Sequence, residues 1–363
     1  MSTKIRIGIT QGDINGIGYE IILKTFADPL ILELCTPVIY GNQKILQLHK
    51  KNVTSENIEF QVMENATKLH PTKVNLVDIT KLNDCVVEFG KASKKAGEAA
   101  LVSLEMAVSD IMANRIDALV TSPINKDSIQ SDKFKFPGHT EYLADKFKAP
   151  NYMMLMVSES LKIGTVTGHI PIHEVASNIT IEKVYAKIKI LNQCLKQDFG
   201  ITKPKIAILG LNPHAGDAGL LGKQETEIIQ PAIDKAKKDN ILAIGPYAAD
   251  GFFGSGNYRN FDGILAMYHD QGLIPFKTIA YYDGVNYTAG LPYVRTSPDH
   301  GTGYDIAGKD KADEASFRQA IFAAIDIYRK KIQYQQINAN PLPLSTSRLA
   351  KLDDTKEAKL EGV

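Results

Sequence analysis

Strand-length apolar runs alternate with helix-length amphipathic segments along almost the whole chain, and this alternation most limits what it can fold into. Strands are expected at Lys4–Thr10, Pro37–Tyr40, Val74–Ile79, Ala118–Thr121, Tyr152–Val157, Lys162–Thr167, Lys205–Leu211 and Gly263–Met267. Between two of these runs, Ile181, Val184, Ile188, Leu191 and Leu195 step by three and four, the spacing of one helical face. Gly200 follows where a C-terminal cap would fall. Leu101, Leu104, Val108 and Ile111 form a second stripe ahead of Ala118, and a third helix is expected over Ala312–Lys331. Parallel neighbours need crossover connections, so such a chain builds a mostly parallel sheet wrapped by helices. The fold class is α/β. Apart from Val74–Ile79, the stretch Glu56–Cys85 has weak periodicity, and the chain from Asn338 onward reads as a loosely ordered tail.

The first strand runs into ITQGDINGIGYEI, residues 9–21, where Gly12, Gly16 and Gly18 precede a helix. A glycine-rich turn in that position holds pyrophosphate in dinucleotide-binding folds. Here the spacing is GxxxGxG instead of GxGxxG, and Asp13 puts a carboxylate where it would repel phosphate. The expectation is a plain strand-to-helix turn and no Rossmann fingerprint.

With 363 residues the chain has room for one large domain or two ordinary ones. A net charge of +1 supplies no bulk attraction to nucleic acid or an anionic membrane. No apolar run approaches the ~20 residues of a membrane span. Met1–Lys4 leads straight into a strand without the basic and apolar regions of a signal peptide. Cys35, Cys85 and Cys194 are isolated and odd in number, the pattern of a reducing compartment. A cytoplasmic enzyme without nucleic-acid or membrane partners is expected.

Six of the eight histidines fall between residues 139 and 300. His169, His214 and His269 each stand just past an expected strand, in GTVTGHIPIHEV, AILGLNPHAGDAG and GILAMYHDQG. Strands that each deliver a histidine to one end of a sheet converge on one crevice, and three neutral imidazoles with an open position hold a divalent metal. Taken singly, each is better read as a loop histidine satisfied by backbone, and it is the three in the same context that bring in the metal. His173 is read as a loop residue, because Pro171 interrupts a helical HxxxH with His169. His49, on a charged helical stretch, and His70, near a proline turn, are not candidates.

A second concentration is cationic. Lys277, Asn286 and Arg295 lie in IPFKTIAYYDGVNYTAGLPYVRTSPDHGTGYDIAGK, and a phosphate dianion needs Lys or Arg with neutral donors. The bland reading is solvated surface charge. FPGHTEYL adds His139 and Thr140 at an expected helix start, which is either an anion seat or an ordinary cap.

Together and in order, GDINGIG, TSPINK, FPGHTEYLA, TGHIP, LNPHAGDAGLLGKQE, AMYHDQGLIPFK and GLPYVRTSPDHGTGYDIAGK resemble the 4-hydroxythreonine-4-phosphate dehydrogenase (PdxA) family over nearly the whole chain. The resemblance implies the isocitrate and isopropylmalate dehydrogenase-like architecture, two α/β/α domains around a central crevice. One domain would span 1–135 with 290–340 on the cofactor side. The other, 136–289, would carry metal, substrate and dimer contacts, with 341–363 as tail. The family pattern makes His169, His214 and His269 ligands of one divalent ion (zinc, magnesium or cobalt). It makes His139, Thr140, Lys277, Asn286 and Arg295 contacts of a small phosphorylated substrate. HGTGYDIAGK is similar to the adenosine-binding loop of that architecture, with Gly301 allowing close approach and Asp305 meeting the ribose of NAD or NADP. Gly12–Gly18 would then be a tight turn beneath the crevice. The active site is implied to form at a homodimer interface, with both subunits supplying residues. Gln11, Ile14 and Tyr19 depart from a family opening that usually carries prolines, and Gly303 stands for a usual alanine.

The reaction implied is oxidation of 4-phosphohydroxy-L-threonine at C3, then decarboxylation to 3-amino-2-oxopropyl phosphate, in pyridoxal phosphate biosynthesis. Asp250, in YAADGFF, and Lys277 are the candidate bases. Three alternatives stand beside it. One is a dehydrogenase of a phosphorylated four-carbon sugar acid, phosphothreonate or phosphoerythronate. Another is a metal-dependent phosphatase, against which the lack of an Asp-rich motif for a second ion counts. The third is a non-catalytic phosphometabolite-binding protein.

Overall fold

The computed structural model describes residues 4–54 and 58–341. Its first five strands are β1 (Ile5–Thr10), β2 (Cys35–Gly41), β3 (Phe60–Met63), β4 (Val74–Asp78) and β5 (Ala118–Thr121). Then come β6 (Met153–Val157), β7 (Lys162–Thr165), β8 (Lys205–Leu209), β9 (Leu242–Tyr247), β10 (Gly263–Ala266), β11 (Val285–Ala289) and β12 (Val294–Pro298). All join one sheet in the order β3-β4-β2-β1-β5-β12-β11-β6-β7-β10-β8-β9. Every residue of β2, β5 and β12 is buried, so both faces of the sheet are covered, as crossover helices require. This is the α/β architecture that the alternation and the resemblance imply.

Pairing is parallel at both flanks and changes in the middle. β12 runs parallel to β5, while β11 is antiparallel to both β12 and β6, and β6 is antiparallel to β7. Asn286 on β11 pairs with Ser297 on one side and Met156 on the other. Residues opposite one another share a face, so these three form one row across the centre of the sheet.

The strands expected from periodicity all exist, within a few residues at their ends. β3, β9, β11 and β12 were not expected. β11 (VNYTA) and β12 (VRTSP) carry polar residues into the middle of the sheet, which hides the apolar pattern of a buried strand. The amphipathic stripe after Ile181 is a helix, Ile181–Gln197, whose Thr180 side chain accepts from Lys183 N at 3.2 Å. Gly200 beyond it is left-handed, with φ 72°. The last described helix, Ala315–Asn338, starts later and runs further than Ala312–Lys331. Residues 342–363 of the expected tail lie outside the described residues. Among those described, no helix is long and apolar enough to cross a membrane.

The glycine-rich turn closes on the chain itself. Gly12 has φ +70°, and a Cβ there would stand 2.5 Å from Pro123 O. Asp13 N donates to that same carbonyl at 2.9 Å, and Asp13 Oδ1 accepts from Asn15 N at 2.9 Å. Two of the unusual residues compensate one another: buried Tyr19 donates to Gln11 Oε1 at 2.6 Å, and Gln11 Nε2 donates to Ala99 O at 3.1 Å.

Candidate active site

A crevice of about 550 Å³ lies over the central row of the sheet. Met154, Met156, Asn286, Arg295 and Ser297 form its floor, and the helix starts at His139 and His269 supply walls. β12 buries Arg295 to 3% exposure beneath that floor. Its Nε and Nη2 donate to Thr121 Oγ1 at 3.1 and 2.6 Å, and its Nη1 donates to Thr288 Oγ1 at 3.3 Å. Among the described residues no carboxylate pairs with it. Burial draws its pKa down to about 10, with the Glu141 charge opposing, so it remains cationic at neutral pH. A buried cation facing neutral hydroxyls is poised for an anion.

His139 opens the helix His139–Lys146. Burial pushes its pKa well below the ordinary 6.5, helped by the charges of Arg295 and Lys126, so its ring is neutral. Lys277 crosses to Asp299, with Nζ 3.2 Å from Oδ1. Burial raises the Asp299 carboxyl although Lys277 opposes it. Thr140 and Gly301 also line the crevice. A Cβ on Gly301 would meet nothing within 4 Å, so internal packing does not demand glycine there. Three buried polar atoms facing this region lack partners: Asn286 Oδ1, Ser122 Oγ and His300 Nε2. Buried polar groups are rarely left so, and together they form a cradle for a polar ligand.

His169 and His269 face each other with ring centroids 5.2 Å apart. His269 Nδ1 lies 2.6 Å from Asp270 Oδ1, a carboxylate that accepts, so this contact occupies Nδ1 and leaves Nε2 as the ring nitrogen for another partner. Burial, then Lys126 and His269, lowers the His169 pKa and keeps that ring neutral. Two adjacent imidazoles fit two ligand positions of a divalent ion.

His214 is not with them. It stands exposed on the segment Pro213–Gly219, whose backbone from His214 to Ala218 is left-handed, and it does not line the crevice. Among the described residues, no three His, Cys, Asp or Glu side chains gather into a metal cluster. Asp250 is also exposed, on a separate shallow groove with Tyr268, Asp270 and Ile274. Asp305 is exposed outside the crevice, and its backbone carbonyl accepts from Lys309 Nζ at 2.8 Å. His173 is helical and not in a loop: Pro171 precedes the helix Ile172–Asn178 without breaking it, and His173 points outward beside Glu174.

Sequence reasoning passed over Ser122, Lys126, Glu141, Asp270, Asp299 and His300, all of which line the crevice. Ser122 and Lys126 belong to TSPINK, and Asp299 and His300 to SPDHG, segments noticed only for their resemblance.

Comparison with known proteins follows this geometry. Residues 33–324 match the family model described as pyridoxal phosphate biosynthetic protein PdxA. The 4-hydroxythreonine-4-phosphate dehydrogenase of Bacteroides thetaiotaomicron is 52% identical over 361 residues, 99% of this chain and 98% of that protein. The crystal structure of 4-hydroxythreonine-4-phosphate dehydrogenase from Klebsiella pneumoniae superposes with a TM-score of 0.79 at 32% identity, covering 90% of this chain and 98% of that one. A relative from Oceanobacillus iheyensis, 38% identical over 90% of this chain and 99% of its own length, carries the name D-threonate 4-phosphate dehydrogenase.

Proposed function

The chain belongs to the PdxA family of pyridoxal phosphate biosynthetic proteins, and on that premise we propose that it oxidises 4-phosphohydroxy-L-threonine at C3 with NAD, or NADP, as hydride acceptor. Loss of the carboxylate from the resulting β-keto acid then yields 3-amino-2-oxopropyl phosphate. The observation that carries this reading is Arg295, a buried cation with no carboxylate partner among the described residues, in the same crevice as the facing pair His169 and His269.

The phosphate is held by Arg295, Lys277, His139, Thr140 and Asn286, which fix the far end of the substrate and so orient C3. His169 and His269, joined by His214 of a second subunit, would hold a divalent ion (zinc, magnesium or cobalt), whose Lewis acidity lowers the pKa of the C3 hydroxyl. Gly301 and Asp305 would hold the nicotinamide cofactor. Lys277 takes the hydroxyl proton if Asp299 releases it. Asp250 takes it if the base comes from the neighbouring subunit.

The same placements support a homodimer. His214 and Asp250 are exposed; Leu220 and Leu221 expose apolar surface just past the His214 segment, and Ile274 and Ile279 do so in the groove that Asp250 lines. A second copy seated there would cover this surface and complete each site. Within the chain, the domain boundary is proposed between β12 and β11, so that 1–135 with 290–340 form one unit and 136–289 the other. A cytoplasmic setting with no nucleic-acid or membrane partner accompanies this reading.

The Oceanobacillus relative favours a second reading, oxidation of a phosphorylated hydroxy acid that lacks the amine. Reduced cofactor formed from 4-phosphohydroxy-L-threonine and from D-threonate 4-phosphate decides between them. A higher kcat/KM on the amino substrate is expected, and the reverse order overturns the assignment. Release of inorganic phosphate without cofactor would instead make it a phosphatase.

A further inference from the structure

The segment carrying His214 is held in an unfavourable shape. His214, Ala215, Gly216, Asp217 and Ala218 have φ of 52, 51, 81, 42 and 54°. Four of these five residues have a Cβ that crowds the following carbonyl in this conformation, so something outside the segment must impose it.

Glu225 meets that requirement. It opens a π-helical turn, Glu225–Ile229, and is 3% exposed. Its Oε1 accepts from the backbone N–H groups of Leu211 and Asn212 at 2.7 and 2.8 Å. Its Oε2 accepts from Asn212 Nδ2 at 2.9 Å, and Gln224 Oε1 accepts from the same nitrogen at 2.8 Å. Glycines let the segment close on the carboxylate: a Cβ on Gly216 would stand 2.6 Å from Oε2, and one on Gly210 3.1 Å from Oε1. Among the described residues no cation pairs with Glu225. Its carboxyl oxygens accept from the amides of Leu211 and Asn212, just ahead of Pro213 and His214, which ties that stretch of chain to the clamp.

We propose that Glu225 is a positioning residue that presents His214 as a metal ligand to the neighbouring subunit's crevice. This rests on the reading of His214 given above. Hydrogen-bonded partners that orient a ligand typically change metal affinity 10–100-fold when removed.

The test is a double-mutant cycle on the full-length dimer, read by cobalt(II) titration of its visible absorption. Glu225→Ala should weaken cobalt binding roughly 10–100-fold while sedimentation still shows a dimer. Glu225→Gln keeps an acceptor for the two backbone N–H groups and should lose less. In a His214→Ala background, Glu225→Ala should cause no further loss, because it acts through His214. An unchanged dissociation constant in Glu225→Ala, an equal loss in the His214→Ala background, or weakening only together with loss of the dimer would each overturn the proposal. If Glu225→Ala does not fold, Glu225→Gln carries the same cycle. Wild-type cobalt binding by His214→Ala would refute the ligand reading itself, an outcome distinct from those.

Discussion

Tyr304 donates its phenolic hydrogen to Asp13 Oδ2 at 2.7 Å, joining the glycine-rich turn to a loop 291 residues away. Ile17 N donates to Thr302 O at 2.9 Å, and Gly90 N donates to Asn15 O at 2.9 Å, so three distant segments lock together there. Gly303, where the family usually has alanine, is left-handed with φ +55°, and a Cβ on it would meet Ile17 Cδ1 at 3.0 Å. Asp13 therefore anchors the loop proposed to hold the cofactor, which is why a carboxylate is tolerated in a glycine-rich turn.

Tyr304→Phe should leave Asp13 buried with one partner fewer, costing about 1–3 kcal/mol of stability. It should also raise the KM for the nicotinamide cofactor more than the KM for the phosphorylated substrate. Urea unfolding and a two-substrate kinetic grid check both halves. Burial raises the Asp13 pKa against the Tyr304 and Asn15 hydrogen bonds. A carboxyl raised in the folded state contributes its stability at low pH and loses it as pH climbs through the raised value. Asp13→Asn should remove that decline.

The opposite sign applies to His49. Its Nε2 lies 2.8 Å from Ile14 O beneath the same turn, and burial lowers its pKa from 6.5 to about 4. The unfolded chain binds this proton more readily, so stability is full above 6.5 and is lost as pH falls toward 4. Between pH ~7.5 and ~5 the loss from this residue should be about 2 kcal/mol. His49→Gln should show a correspondingly flatter acid limb when urea midpoints are compared at the two pH values.

Legibility in the sequence followed burial. β5 is buried along its whole length and the helix at Ile181 buries one apolar face, so their patterns survive in the residues. β11 and β12 form the crevice floor, and the polar Asn286, Arg295 and Ser297 that make them functional also erase their strand pattern. Arg295 and His139 were legible as residue types, but their meeting depends on β12 lying beside β5, a pairing that local sequence does not encode. Ser122 and Asp299 matter only through what surrounds them. The displacement of His214 had even less signal, since only one of its five left-handed residues is glycine.

Subunit mixing tests where His214 belongs. On the phosphorylated substrate, His214→Ala should be inactive and Arg295→Ala impaired at least about tenfold as homodimers. In a mixed dimer, one site would combine an intact Arg295 with the partner chain's intact His214, and the other site would carry both defects. Random exchange makes half of the dimers mixed, so about a quarter of wild-type activity should return. Native mass spectrometry confirms exchange. No recovery after complete exchange would place both residues in one chain's site.

Arg295 separates substrate positioning from fold support. Its guanidinium is held between Thr121 and Thr288, and among the described residues no carboxylate pairs with it. Contacts to charged groups are worth ~1.5–3 kcal/mol, which corresponds to roughly tenfold to hundredfold in kcat/KM. Arg295→Ala should therefore lose at least about tenfold on the phosphorylated substrate, and much less on the dephosphorylated analogue, which never made the contact. Arg295→Lys keeps the charge but not the planar fork and should fall between the two. Thr121→Val removes only the hydroxyl that fixes the guanidinium and should show a smaller loss of the same kind. Cobalt content should not change in any of them, because His169 and His269 stand apart from this contact. An equal proportional loss on both substrates would instead assign Arg295 to the fold or the cofactor, and the phosphate seat would have to be sought around Lys277 and Lys126.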